Sequence, residues 1–266
     1  MVTSQKYALI TGATSGIGFE LAKLFAKDQY NLVIVGRNEA ELSAAASQLA
    51  TDSVDVITIV RDLFNRDEAF SLYDEVKRRD INIEVLVNNA GQGVYGEFKD
   101  TDINRELNII DLNIAALTIL TKSFLQDMLL RNSGKILNLA SIASKVPGPW
   151  QAVYHGTKAY VLSFSEAIRE ELKDYENITV TALLPGATDT DFFNKADMNA
   201  SKAVQDKDAL SDPADVARDG YDALMAGKDQ VISGFKNKVQ MAMTAITPDA
   251  TVAHLMNEQQ KPVGHD

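Results

Sequence analysis

The sequence predicts a single doubly wound α/β domain: a parallel sheet of seven strands flanked by helices on both faces. Three observations lead there. Apolar runs of strand length alternate with amphipathic stretches of helix length along most of the 266 residues. The strand-length runs are apolar on both sides, which suits a parallel sheet buried between helix layers better than a half-exposed antiparallel one. A glycine-rich turn then joins the first strand directly to the first helix, as a βα unit requires.

The elements follow in order. Tyr7–Ile10 reads as a strand, and the helical pattern of Ile17–Asp28 opens immediately after its glycines. Leu32–Val35, wholly aliphatic, is the second strand and leads into a helix over Glu39–Leu49. Val56–Val60 is almost entirely β-branched and precedes a helix over Arg66–Arg79. Val85–Val87 and Lys135–Leu139 are strands on either side of the long amphipathic stretch Asp111–Arg131. A helix over Tyr154–Tyr175 is followed by the strand Thr179–Leu184, then by Pro213–Met225 and a last short strand, Gln230–Ile232.

The composition fits this architecture. Hydrophobic residues make up 45% and charged residues 24%, an ordinary globular balance. The length would accommodate either two small domains or one α/β domain. No Pro/Gly/Ser-rich linker or repeat divides the chain, so residues 1–266 read as one domain. The net charge of −11 offers no basic stripe for a phosphate backbone, which argues against nucleic acid as a partner. With no cysteine there is no disulfide, thiolate nucleophile or thiolate metal site. The opening Met1–Lys6 runs into an apolar stretch too short for a signal-peptide core. No apolar run approaches the roughly 18 residues of a membrane span. A soluble, cytoplasmic protein is expected.

Two stretches break the alternation. Thr188–Ser211 is polar and aperiodic, lies just after the sixth strand, and is expected to be a substrate lid. The extension over residues 234–266 carries Phe235, Val239, Met243, Ile246 and Leu255 at loosely helical spacing.

The first strand ends in Thr11-Gly12-Ala13-Thr14-Ser15-Gly16-Ile17-Gly18. Its glycines allow a tight turn and close approach to a pyrophosphate at the positive end of a helix. The spacing is G-x-x-x-G-x-G, and the Lys-Ser/Thr ending of a P-loop is missing, which counts against an ATPase or GTPase. At the end of the second strand stand Gly36, Arg37 and Asn38, where a dinucleotide fold faces the adenosine ribose. An acidic residue there would favour NAD. Gly36 leaves space instead, and Arg37 offers a guanidinium to a 2′-phosphate, which favours NADP(H) over NAD(H).

Tyr154 and Lys158 are four residues apart and so share a helix face. An ammonium beside a phenol favours the phenolate, and such a pair can pass a proton to or from a carbonyl oxygen.

In these features the chain resembles the short-chain dehydrogenase/reductase family over almost its whole length. The turn Thr11 to Gly18 resembles the family's cofactor loop, and Asp62-Leu63 the pair that meets the adenine. Asn88-Asn89-Ala90-Gly91 is similar to the segment that stabilises the sheet and lies along the cofactor. Asn113 falls where a helix asparagine supports a proton relay, and Ser141 where a serine holds the substrate oxygen. Pro185-Gly186 and Thr190 follow the sixth strand like the nicotinamide-side loop.

The resemblance implies a Rossmann-type carbonyl-reductase-like oxidoreductase. Tyr154 would be general acid/base, Ser141 would orient the reacting oxygen, and Lys158 would hold the nicotinamide ribose and keep Tyr154 acidic. Asn113 would bind a water that links Lys158 to solvent. Gly12, Ser15, Gly16, Ile17 and Gly18 would cradle the pyrophosphate, with Arg37 and Asn38 at the adenosine ribose and Asp62 and Leu63 at the adenine. Asn89, Ala90 and Gly91 would lie along the central ribose, with Pro185, Gly186, Thr188 and Thr190 on the nicotinamide side. One departure is Ser15, where some NADP-dependent relatives carry a second basic residue.

The implied substrate is a small carbonyl or alcohol, and the implied assembly a homodimer or homotetramer. Pairing would use the part of two apolar stripes not spent on the core: Leu112, Ala116, Leu117, Leu120, Phe124 and Met128, and Val161, Phe164, Ile168 and Leu172. Rival readings are an NAD-dependent alcohol dehydrogenase and a cofactor-sensing protein without turnover.

Other signals carry less. His155, His254 and His265 are not spaced as metal ligands, and His155 points about 100° from the Tyr154–Lys158 face. Asp189 and Asp191 read as solvated loop charges, and Glu166, Glu170 and Glu171 as a solvated helix face. Ser141 lacks the G-x-S-x-G elbow of a hydrolase nucleophile. Trp150, beside Val146, Pro147 and Pro149, reads as a pocket wall. Gln92, Gly93, Phe192 and Phe193 are expected to complete a mainly apolar pocket.

Overall fold

The computed structural model describes residues 6–206, 209–244 and 246–264; residues 1–5 and His265, both read in the sequence, lie outside them. Seven strands form one parallel sheet: β1 (Tyr7–Thr11), β2 (Asn31–Gly36), β3 (Val56–Val60), β4 (Ile83–Asn88), β5 (Gly134–Leu139), β6 (Ile178–Leu184) and β7 (Gln230–Ile232). Their order is β3-β2-β1-β4-β5-β6-β7. The helices are α1 (Gly16–Lys27), α2 (Glu39–Leu49), α3 (Arg66–Arg78), α4 (Ile103–Ile110), α5 (Leu117–Arg131), α6 (Ala152–Glu171), α7 (Phe192–Lys195), α8 (Pro213–Met225), α9 (Phe235–Thr244) and α10 (Asp249–Gln260).

Alternation along each strand feeds two cores. Ala8, Ile10, Leu32 and Ile34 pack on one face against Leu21 and Phe25 of α1, Leu42 of α2 and Val216 of α8. Leu9, Val33 and Val35 pack on the other against Leu72 of α3 and Leu120 and Phe124 of α5. Each such aliphatic side chain contributes about 1.5–3 kcal/mol by leaving water. A polar chain runs through the sheet: the Asn88 amide nitrogen donates to Asn138 Oδ1 and Thr121 Oγ1, both at 2.9 Å, and Asn138 donates to Ser165 Oγ at 3.0 Å.

The fifth helical stretch begins earlier than its sequence pattern indicates. α4 and α5 are joined by a π-helical turn over Asp111–Ala116 into one continuous helix. By length and composition alone this 29-residue helix could cross a bilayer. Its apolar face is spent on the sheet, where Leu112, Leu117, Leu120, Phe124 and Met128 are buried.

Because β1 lies between β2 and β4, the chain winds away from β1 in both directions. A crevice opens at the carboxyl ends of the strands at that point. The Thr188–Ser211 segment and the C-terminal extension both lie over it. Thr188 pairs with Ser211, and Ser201 pairs with Pro262, so the segment and the extension are tied together.

Candidate active site

A cavity of about 1630 Å³ runs along the carboxyl ends of the strands, from Arg37 and Phe64 past the glycine turn to Tyr154 and Phe193. Every cofactor-side and catalytic candidate from the sequence lines it, except Gly18 and Asn113, which stand behind its wall.

The glycine turn is held from below by the β4 end. Thr11 Oγ1 accepts from the backbone N–H of Asn89 (3.1 Å) and Ala90 (3.0 Å). The Asn89 amide donates to the carbonyls of Thr11 and Gly12, each at 2.9 Å. Gly12 and Gly16 adopt φ of +66° and +58°, where a side chain is strained. A Cβ on Gly16 would also stand 2.8 Å from Thr190 Cγ2, so the glycine turn and the loop after β6 close on each other. The Ser15 side chain makes no cap to α1, whose first N–H groups therefore face the cavity side of the turn.

At the far end, the Arg37 guanidinium lies 4.7 Å from the Phe64 ring centroid, an exposed cation–π stack. Asn38, assigned to the ribose from sequence, uses its side chain locally. Its oxygen caps α2 through Ala40 N (2.9 Å) and Glu41 N (3.2 Å), and its amide donates to Glu41. Asp62 accepts from Phe64 N at 3.2 Å, and Leu63 is buried beneath it. Arg61, also on the wall, is spent on ion pairs with Glu68 and Glu75.

The catalytic candidates converge where the cavity bends. Ser141 follows β5 and opens a short 3-10 turn, accepting from Ala143 N at 3.1 Å and donating to Pro185 O at 3.3 Å. Lys158 is buried and donates to Leu139 O at 2.7 Å, with its Nζ 5.8 Å from the Tyr154 ring centroid. Burial pushes the Tyr154 phenol up to about 12, opposed only by a hydrogen bond with Ser141. Burial likewise brings Lys158 down to about 8. Desolvation of the phenol is thus the dominant influence on Tyr154, and the Ser141 hydrogen bond the opposing one.

Asn113 sits in the π-helical turn, a local underwinding that recurs at functional sites. It is buried, donates to Gln92 O (2.9 Å) and Thr157 Oγ1 (3.0 Å), and accepts from Gln92 N (3.0 Å). It thereby binds the β4 loop to the catalytic helix α6. A Cβ on Gly91 would fall 3.3 Å from Asn113 Oδ1 and 3.4 Å from Lys158 Nζ, so both groups meet behind that glycine.

The substrate end differs from expectation in two residues, Trp150 and Gly93, neither of which lines the cavity. Trp150 is not on the cavity wall; it stacks on Tyr95 and donates from Nε1 to Asn257 of α10 at 2.9 Å. Gly93 packs close by, where an added Cβ would meet Phe192 and Tyr154. The wall is made by Gln92, Val146, Gln151, Phe192, Phe193 and Met198. It is completed by Met256, Gln259 and Gln260 of α10, which the loose spacing of the tail did not single out. His155 is buried against the carbonyl of Val146, and among the described residues no cluster of metal-binding side chains occurs. Asp191 is held by Lys195 and Asn194, and Glu166, Glu170 and Glu171 are exposed.

The family model of the short chain dehydrogenases matches residues 6–201. Among curated relatives, an uncharacterized oxidoreductase of Staphylococcus saprophyticus is 30% identical over 204 residues, covering 76% of this chain and 87% of its own length. One from Staphylococcus aureus is 31% identical over 216 residues, covering 81% and 89%. Among solved structures, a short-chain dehydrogenase from Sphingobium yanoikuyae in complex with NADPH is 27% identical, with a TM-score of 0.80 over 92% of this chain and 97% of that one. A bulky-bulky ketone specific alcohol dehydrogenase from Comamonas testosteroni is 26% identical, with a TM-score of 0.76 over 95% and 99%.

Proposed function

This chain belongs to the short-chain dehydrogenase family, and from that premise we propose that it is an NADP(H)-dependent oxidoreductase interconverting a carbonyl and an alcohol. The observation that carries the reading is the meeting of Ser141, Tyr154 and Lys158 in a cavity that is also lined by the uncapped start of α1. The residues present fit a nicotinamide dinucleotide. Gly12, Gly16 and Gly91 line the cavity, the first two at positive φ, and the α1 N–H groups suit a pyrophosphate. Ser15, Ile17, Ala90, Pro185, Gly186, Thr188 and Thr190 line the same path.

Once bound, the nicotinamide supplies or accepts the hydride. The protein manages the proton. In reduction, Tyr154 gives its phenolic proton to the substrate oxygen, which Ser141 holds by a hydrogen bond. The burial that raises Tyr154 keeps the phenol neutral at physiological pH, the form a general acid needs. Lys158 spends one donor on Leu139 O and keeps two for ribose hydroxyls. Asn113 fixes the β4 loop against α6, so the cofactor-side and proton-side groups keep their spacing. Thr188–Ser211 closes over the substrate with Phe192 and Phe193 and excludes water.

The neighbour bound to NADPH and the neighbour acting on bulky ketones support the cofactor and the substrate class respectively. The experiment is a carbonyl panel with purified protein, following loss of nicotinamide absorbance. Consumption of NADPH with at least one ketone or aldehyde is expected. Tight NADPH binding without turnover on any of them would leave the cofactor-sensing alternative.

A further inference from the structure

Resting on the oxidoreductase reading, we propose that Gln260, the last residue of α10, determines substrate specificity by accepting a hydrogen bond from a hydroxyl or N–H group remote from the reacting carbonyl.

The argument begins at His155. Its Nδ1 is 2.9 Å from the carbonyl oxygen of Val146, which can only accept, so Nδ1 carries the proton. The ring is buried, and burial disfavours the imidazolium. In that neutral tautomer Nε2 is an acceptor. The partner at 3.2 Å is the side-chain amide of Gln260, which must turn its nitrogen toward the ring. The orientation of the amide is therefore fixed by the network, and its oxygen points elsewhere.

That oxygen, Oε1, is buried and has no hydrogen-bond partner among the described residues. Gln260 itself is only 5% exposed. A buried acceptor left without a donor is disfavoured, and native structures retain one mainly where another group is to meet it. Gln260 lines the substrate end of the cavity beside Met256 and Gln259.

The backbone at this point does not drift. The Gln260 carbonyl accepts from Tyr95 Oη at 2.6 Å and from Ser201 Oγ at 2.9 Å, so it is tied to the β4 loop and to the Thr188–Ser211 segment at once. With the backbone anchored and the amide nitrogen held by His155, Oε1 is kept in one place on the cavity wall for an incoming donor. The surroundings also make room for the ring: a Cβ on Gly148 would fall 2.1 Å from His155 Cδ2. The unspent acceptor is thus built into a wall whose apolar part is made by Met198, Phe193 and Met256. A substrate with an apolar body and one polar donor matches that wall.

The test uses the full-length enzyme with NADPH and three ketones: benzylacetone and its meta- and para-hydroxy counterparts. Wild type should prefer one of the hydroxy ketones by about tenfold in kcat/KM, the scale of one hydrogen bond to a polar group. In Gln260→Met the ratio should fall to about one. Gln260→Glu keeps an acceptor and should keep a preference. It cannot donate to the neutral imidazole, so its His155 ring nitrogen signals should move to those of an imidazolium. NADPH affinity and circular dichroism report folding of each variant. A wild type with no preference, or a preference that survives in Gln260→Met, overturns the proposal. If no ketone is turned over by wild type, the oxidoreductase reading fails separately. Gln260 is then judged by its side-chain amide signal, which must shift with a hydroxy ketone and not with benzylacetone.

Discussion

The side-chain amide of Asn89 occupies the space that a side chain on Gly18 would need: an added Cβ would lie 2.3 Å from Asn89 Nδ2 and 2.4 Å from the Gly12 carbonyl oxygen. The glycine is thus required by packing beneath the turn rather than by contact with a ligand. The same amide makes two 2.9 Å bonds that hold the turn's backbone.

Gly18→Ala is therefore expected to destabilise the protein by about 1–3 kcal/mol through overpacking. It should also weaken NADPH binding by displacing the turn. Asn89→Ala loses two hydrogen bonds, each worth about 0.5–1.5 kcal/mol. The double variant should be less destabilised than the sum of the single ones, since removing the amide relieves one of the two clashes and leaves that with the Gly12 carbonyl. Urea denaturation of all four proteins measures the coupling, and strict additivity would mean that the two residues do not share this space.

Tyr154→Phe is expected to bind NADPH as wild type does and to lose most of its turnover. The phenyl ring keeps its contact with Phe192, 5.2 Å away between centroids, but cannot transfer a proton. General acid catalysis accounts for about 10²–10⁴-fold in rate. Lys158→Met should damage binding and turnover together. Near-normal turnover by the Phe variant would remove Tyr154 from the mechanism.

The two-sided apolar runs and the glycine turn were enough to read the seven strands and the βα order. Local chemistry also made the site legible, since each candidate stands at a strand end or on one helix turn. What escaped depends on contacts distant in sequence. Trp150 leaves the cavity wall because Asn257, 107 residues later, takes its indole N–H. Gln260 becomes part of the wall through His155, Tyr95 and Ser201, none of which its own segment announces. The π-helical turn at Asn113 carries no periodic signature, because one extra residue in a turn leaves an apolar stripe readable on both sides. The value reached by Tyr154 was also beyond the sequence, since spacing shows a neighbouring lysine but not the burial of the phenol.

Lys158 gives a pH signature in stability. Its folded value is about 8, against 10.5 for a free lysine. Below pH 8 both states hold the proton. Between 8 and 10.5 the unfolded chain holds a proton that the folded chain has shed, so stability rises with pH. Tyr154 shifts in the opposite sense, from 10.0 to about 12, and acts only above pH 10. Wild type should therefore gain about 2 kcal/mol relative to Lys158→Met between pH 7.5 and 9.5. Parallel denaturation curves at the two pH values would refute the buried, desolvated lysine.

Most of the residues that the apolar stripes named are not available for assembly. Leu112, Ala116, Leu117, Leu120, Phe124, Met128, Val161 and Leu172 are all buried in the subunit's own core. Phe164 and Ile168 are half-buried. The large apolar side chains exposed on these helices include Ile103 and Leu107 of α4, Leu130 near the end of α5, and Tyr160 of α6, whose ring stacks on Phe164 at 5.5 Å. A homodimer or homotetramer paired through this face should sediment at two or four times the 29.1 kDa chain mass. Leu107→Glu with Tyr160→Asp should return it to monomer. A wild type that is monomeric at micromolar concentration is the result that excludes this assembly.

The cofactor preference depends on Arg37. Its guanidinium is held over the Phe64 ring while its N–H fork stays free to form charge-assisted, bidentate bonds to a 2′-phosphate. Such bonds are worth about 1.5–3 kcal/mol, equivalent to roughly 10- to 150-fold in affinity. The chain's net charge of −11 opposes a more anionic cofactor, but that field is screened beyond about 8 Å at physiological salt, so the local contact wins. Ser15 supplies no second cation, and Asn38 is committed to capping α2, so the preference for NADPH over NADH should be clear without being absolute. Arg37→Ala should reduce NADPH affinity about 10-fold or more and leave NADH nearly unchanged. Adding Gly36→Asp should reverse the preference by offering a carboxylate to the ribose hydroxyls. An Asp there is tight but tolerable, since its Cβ would stand 3.2 Å from Thr14 Cγ2 and 3.4 Å from Leu42 Cδ2, both ends of side chains that can yield. Equal affinities of the wild type for NADH and NADPH, measured by fluorescence titration, would make Arg37 an ordinary surface residue and return the site to NAD.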